Sequence, residues 1–147
     1  MVTIRLATLA DLPAIRDCAE AAYGRYVPRI GRRPAPMDAD FSGQIAAGFA
    51  HVAVDEKGEV RGYAIFWPQG DNLYLDSIAV RVRGQGLGAA LMARAEGVAR
   101  ATGLRSIRLY TNAKMTENLT LYPHLGFVQT DRRMDEGFDR VFFEKTL

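Results

Sequence analysis

The feature that most constrains this chain is Arg83-Gly84-Gln85-Gly86-Leu87-Gly88, three alternating glycines where a strand pattern gives way to a helix pattern. Leu73 to Val80 reads as a strand. From about Gly86 to Thr102, the residues Leu87, Ala90, Leu91, Ala95 and Val98 recur on one helical face, and Gly103 stands where a C-terminal cap belongs. Glycine lets the backbone approach a ligand closely. The first turn of a helix carries unpaired N–H groups and the positive end of the dipole. Such a junction suits a phosphate or diphosphate, and Arg81 and Arg83 add charge at its mouth.

Three nucleotide patterns are distinguishable here. A Walker A loop needs a Gly-Lys-Ser/Thr ending, which is absent. Gly84, Gly86 and Ala89 satisfy G-x-G-x-x-A, but residues 104–114 hold no Asp or Glu for a ribose, and the motif follows an antiparallel meander. The plain alternative for the glycines is a tight turn with no ligand.

The rest of the chain fixes the frame. Residues 2–7 alternate as a half-buried strand, and Thr8 with Asp11 forms a capping box ahead of a helix that aligns Leu12, Ile15, Ala19, Ala22 and Tyr26. Residues 27–37 hold Pro28, Gly31, Pro34 and Pro36 and read as an irregular loop; a short helix over about 38–47 follows. Strands are expected at 50–55, 60–67 and 73–80, the helix at 86–102, and a strand at 106–111. A short helix over 116–124 and final strands at 127–134 and 138–145 complete the chain. The order β-α-α-β-β-β-α-β-α-β-β predicts one α/β domain over 1–147, with hairpins before the central helix and a βαβ crossover after it. The charge balance, 19 basic against 17 acidic residues, gives no bulk drive toward nucleic acid. One cysteine and two histidines argue against a metal site. Cys18 reads as a small core residue, and His51 as structural or exposed. Without an 18-residue apolar run or a signal peptide, no membrane span is expected and a cytoplasmic protein is the default.

Arg83, Gly86 and Gly88 fit the (Gln/Arg)-x-x-Gly-x-(Gly/Ala) signature, and the chain resembles the GNAT superfamily of acyl-CoA N-acyltransferases almost throughout. Ile4-Arg5-Leu6-Ala7-Thr8 with Asp11-Leu12 is similar to that family's opening strand and helix. Ser77-Ile78-Ala79-Val80 is similar to its cofactor-side strand, and Leu121-Tyr122 with Leu125-Gly126-Phe127 to its C-terminal signature. The resemblance implies a GNAT-type fold, a mixed, mainly antiparallel sheet flanked by helices. It implies acetyl-CoA as cosubstrate, no metal, and a small-molecule or protein amine as acceptor. Homodimers are common in the family. The pantetheine arm would pair with Ile78, Ala79 and Val80, and the diphosphate would lie on N–H groups of Arg83, Gly84, Gln85, Gly86, Leu87 and Gly88, with Arg81 and Ala89 as further cofactor contacts. An N–H near Val80 would polarise the thioester carbonyl.

The amine would then attack the thioester directly. An amine of pKa about 10.4 is neutral in only about one molecule in 2,500 at pH 7, a penalty of roughly 4.6 kcal/mol. Asp76, sharing strand parity with Tyr74, Ile78 and Val80, is the candidate base; an arginine partner or a loop cap is its plain alternative. Tyr122 is the candidate general acid and a cofactor contact. A phenol near 10 is a weaker acid than a thiol near 8.5, so full transfer is uphill by roughly 2 kcal/mol and a hydrogen bond to the sulfur is the lesser role. Relatives often carry Asn-x-x-Ala before the Leu-Tyr pair. Met115 and Asn118 stand there instead, so either Asn118 or Asn112 would contact the cofactor. Arg29, Arg32 and Arg33, with Tyr23 and Tyr26, would either bind an acceptor anion or form a solvated face. A non-catalytic acyl-CoA sensor on the same fold is the competing function.

Overall fold

A computed structural model describes residues 2–147. One seven-stranded sheet runs in the order β1-β2-β3-β4-β5-β7-β6. Its strands are β1 (Thr3–Leu6), β2 (Ala50–Val54), β3 (Val60–Gln69), β4 (Asn72–Val80), β5 (Ser106–Asn112), β6 (Val128–Asp135) and β7 (Phe138–Thr146). All neighbours pair antiparallel except β4 and β5, which α4 (Leu87–Ala101) connects as a parallel crossover.

Each face of the sheet carries its own core. On one face α1 (Leu12–Tyr23) and α3 (Phe41–Ala46) pack Ile15, Cys18, Phe41 and Ile45 against Val52, Tyr63 and Ile65. On the other, α4 and α5 (Thr116–His124) pack Leu91, Ala95 and Tyr122 against Phe66, Leu73, Ile107 and Phe143. For this reason β2, buried on both faces, is apolar at every position but His51.

The expected element order holds, with local differences. The segment 27–37 is not wholly irregular: Val27–Ile30 forms a one-turn helix, α2, and Ala35–Asp38 a 3-10 turn. Pro28 sets φ for a helix start, and Gly31, at φ 89°, ends it in the left-handed conformation. The next helix starts at Phe41 rather than 38, because the Asp40 carboxylate accepts the Gly43 N–H at 3.1 Å and caps it there. On α4 the buried face includes Met92 and Ala99, with Ala90 and Val98 only half-buried. The Asp11 carboxylate accepts the Thr8 N–H at 2.8 Å as expected, and also takes both Arg5 nitrogens, which holds its carboxyl below the ordinary range.

The irregularity that makes the site lies in β4. Ile65 pairs with Ser77, and Phe66 with Leu75, so Asp76 is the extra residue of a β-bulge. The bulge reverses the parity of everything beyond it. Leu73 and Leu75 join the core under α4, whereas Ala79 joins the core under α1. Asp76 therefore does not share a face with Ile78 and Val80: those two pack toward α4, while the Asp76 carboxylate meets Gln44 of α3 on the opposite side. Strand pairing of β4 with β5 ends at the same place. It runs only from Asn72↔Ser106 to Tyr74↔Arg108, after which β5 pairs with β7 alone, down to Asn112↔Arg140.

Candidate active site

The splay between β4 and β5 opens onto a cleft of about 450 Å³, within the usual range of ligand sites. Its floor is Ile78 to Arg81, its end wall the glycine segment, and its side walls come from α1 and α5. The backbone there is prepared for pairing. Arg81 donates its N–H to the Arg61 carbonyl at 2.9 Å, and alternate residues of an antiparallel ladder bond to the same neighbour. Ala79 thus faces β3, and Ile78 and Val80 turn their N–H and C=O groups toward the side that β5 has left.

At the end wall, Gly84 and Gly86 stand at φ 83° and 74°, where a Cβ would strain the chain. Apart from adjacent residues and the backbone of the helix itself, no protein atom lies within 4 Å of where a Cβ on Gly84, Gly86 or Gly88 would stand, so the space over the loop is open. Gly86 is the N-cap of α4 and carries no side-chain cap. The N–H groups of Leu87, Gly88 and Ala89 precede the first helical bond, which Ala90 makes to the Gly86 carbonyl. Three uncapped donors at the positive end of a 15-residue helix fit a diphosphate. Arg25, Arg81 and Arg83 line the same cleft, and both Arg25 (2.9 Å) and Arg83 (3.1 Å) donate to the Tyr26 hydroxyl. Of the sequence-predicted segment, Gln85 alone does not line the cleft: between two left-handed glycines it points to solvent.

A second, narrow cavity of about 40 Å³ lies across the bulge, bounded by Asp76, Tyr110, Phe138, Arg140 and the Pro34-Ala35-Pro36 segment. The two cavities share Tyr23, Ile78, Asn118 and Tyr122. Gln44 Nε2 donates to Asp76 Oδ2 at 3.2 Å. Burial pushes the Asp76 carboxyl above its usual range, against the pull of Gln44 and Arg140. Arg140 thus acts on Asp76 through charge, and Gln44 is its hydrogen-bond partner. Arg140, 4% exposed, stacks over Tyr110 at 4.1 Å and bonds Asp135 at 3.0 Å. Tyr122, held by ring contacts to Phe127 and Phe143, is 7% exposed, and burial pushes its phenol well above the ordinary value.

Asn112 lines the smaller cavity, and its Oδ1 accepts the Lys114 N–H at 2.9 Å, which closes a turn. Asn118 lines both cavities and donates to Thr111 Oγ1 at 3.1 Å. The arginines after α1 are already engaged. Arg29 clasps Glu117 (2.8 and 3.3 Å), Arg33 joins Glu20 and Asp38, and Arg32 lies 3.7 Å over the Phe138 ring. They brace the walls of the site. Sequence reasoning did not single out Gln44, Tyr110, Phe138 or Arg140, because only the bulge and the β5–β7 pairing bring them to Asp76. His51 lies outside both cavities, buried and stacked on Phe66 at 4.6 Å; burial pulls its imidazole down to about 4. Cys18 is fully buried, and burial pushes its thiol up to about 11. Among the described residues no cluster of three metal-ligating side chains occurs, and no helix is long and apolar enough to cross a membrane.

The site is thus a splayed sheet with an uncapped glycine-rich helix start in the opening. The chain belongs to the Acetyltransferase (GNAT) family, whose profile matches residues 13–127. It is similar to the mycothiol acetyltransferase of Renibacterium salmoninarum, 36% identical over 96 residues. That match covers 58% of this chain but only 28% of the relative. Its fold is similar to PaiA N-acetyltransferase from Thermoplasma acidophilum, solved in complex with coenzyme A, with a TM-score of 0.81 at 15% identity. That superposition spans 100% of this chain and 99% of the other. A GNAT-family acetyltransferase from Staphylococcus aureus gives 0.80 at 14% identity, over 100% and 99%.

Proposed function

We propose that this acetyltransferase moves an acetyl group from acetyl-CoA to a primary amine by direct attack. The observation that carries the reading is the meeting of the two cavities at Tyr23, Ile78, Asn118 and Tyr122. The larger suits a long anionic cosubstrate, and the smaller a slender cationic acceptor. Coenzyme A in the PaiA complex, on the same fold, supports this division.

Acetyl-CoA supplies the activated thioester. The N–H groups at the start of α4 hold its diphosphate, and the outward backbone groups of Val80 pair its arm. An outward N–H at Val80 or Ile78 faces the thioester carbonyl and stabilises the charge that develops there. On the acceptor side, the Asp76 carboxylate attracts the ammonium, and its raised pKa brings it nearer to a useful base at neutral pH. Tyr122, with its phenol pushed up, is a poor proton source: giving a proton to a thiolate of ordinary pKa near 8.5 costs more than the roughly 2 kcal/mol of an unperturbed phenol. Its part is to donate a hydrogen bond to the departing sulfur while the proton comes from the ammonium.

The test is release of free thiol from acetyl-CoA across a panel of primary amines, run beside calorimetry of coenzyme A binding. Binding with turnover supports the transferase. Binding without acetylation of any amine supports the competing acyl-CoA sensor, and no binding removes both.

A further inference from the structure

Among the described residues the Asp76 side chain takes one hydrogen bond, from Gln44 Nε2 to Oδ2 at 3.2 Å. An ionised carboxylate only accepts, so only the amino end of the Gln44 amide can face it. The other end is then left over: Gln44 Oε1 is buried and has no hydrogen-bond partner. A buried acceptor without a partner costs stability, and an apolar side chain of the same length would fill this place without that cost. The amide is therefore explained by its bond to Asp76 and not by packing.

Gln44 reaches Asp76 from a fixed helix. α3 begins at the Asp40 cap, and Phe41 and Ile45, both buried, root it in the core. The Phe41 ring meets Tyr63 of β3 edge-on at 5.8 Å. Asp76 itself stands on the bulge, where the ladder leaves the extra residue unpaired. With Oδ2 held, Oδ1 takes no hydrogen bond from the described residues, and Asp76 lines the smaller cavity. Resting on the reading of Asp76 as the base, we infer that Gln44 is a positioning residue: it holds the Asp76 carboxylate by Oδ2 and leaves Oδ1 presented to the acceptor amine.

The surroundings make this bond measurable. The titratable groups that act on Asp76 are Tyr23 of α1, Tyr63 of β3, Tyr74 of β4 itself, Tyr110 of β5 and Arg140 of β7; Gln44, from α3, is uncharged. Burial pushes all four phenols up, so they stay neutral while a carboxyl titrates, and the guanidinium stays charged. The Gln44 bond supports the ionised form of Asp76 against burial, so its loss moves the Asp76 titration to higher pH.

The test is Gln44→Met, which keeps length and bulk and loses the donor, made in wild type and in Asp76→Asn. Positioning predicts that Gln44→Met lowers kcat about tenfold or more on the pH plateau and moves the acid limb of kcat/KM to higher pH. On Asp76→Asn the same change lowers kcat no more than about twofold, because its effect runs through the carboxylate. The carbon-13 NMR signal of the Asp76 carboxyl, assigned by its loss in Asp76→Asn, should titrate at higher pH in Gln44→Met than in wild type. A merely structural role predicts equal losses of kcat in both backgrounds. Equal losses, or an unmoved carboxyl titration, overturn the inference. If Asp76→Asn turns over as wild type does, the base reading fails alone, and the NMR titration still decides whether Gln44 holds the carboxylate.

Discussion

Replacing Gly86 with alanine separates what the glycine does for the fold from what it does for a ligand. Gly86 sits at φ 74°, and an added methyl there meets no protein atom within 4 Å. The cost to stability is therefore left-handed backbone strain alone, about 1–2 kcal/mol. For a domain of this size that lowers Tm by about 2–8 °C. Gly48 supplies a matched control: φ is 79°, nothing lies within 4 Å, and it borders neither cavity. Gly48→Ala should show the same loss of Tm. The two must part in binding. The methyl on Gly86 enters the space over the uncapped N–H groups of Leu87 to Ala89, so coenzyme A should bind at least about tenfold more weakly, roughly 1.4 kcal/mol. Gly48→Ala should bind as wild type does. Differential scanning fluorimetry gives the stability pair and calorimetry the affinity pair. Equal dissociation constants for the two alanine variants would refute the diphosphate cradle, whatever their melting temperatures.

Other expectations follow from single residues. Asp76→Asn should abolish the rising acid limb of the kcat/KM profile, a limb centred above the ordinary carboxylate range; an unchanged profile excludes Asp76 as base. Because the folded carboxyl is raised, its unfavourable ionisation appears as pH climbs through the folded value, so Asp76→Asn should raise Tm at pH 7 and lose that advantage in acid. Tyr122→Phe should lower kcat by about ten- to a hundredfold with little change in KM, and full turnover would remove the hydrogen bond to sulfur. Ile107, fully buried beside the closed end of the β4–β5 pair, should cost about 2–5 kcal/mol as alanine in denaturant unfolding.

Much of this architecture is written locally. Strand and helix periods, the Asp11 cap and the glycines of the α4 junction act over a few residues, and each stands where its pattern predicts. An anion site could be proposed for the glycine segment from sequence because the physics behind the proposal is contained in the segment itself. What resisted reading depends on pairing between distant strands. Nothing around Asp76 announces a bulge; it arises from the register of β4 against Phe66 and Ile65, and it turned a parity argument to the wrong face. Arg140 and Tyr110 reach the smaller cavity because β5 stays paired with β7 down to Asn112↔Arg140 after its other edge has parted from β4. For the arginines after α1 an acceptor anion and a solvated face were both open from the sequence, and the carboxylates that Arg29 and Arg33 meet, Glu117, Glu20 and Asp38, come from other elements.

The most direct test is a crystal structure of the wild-type protein with coenzyme A bound. The account predicts the diphosphate on the N–H groups of Leu87 to Ala89, the arm paired with Val80 in the opening of the sheet, and the sulfur beside Tyr122. A coenzyme A molecule seated away from the start of α4, with its diphosphate held by other groups, would contradict it.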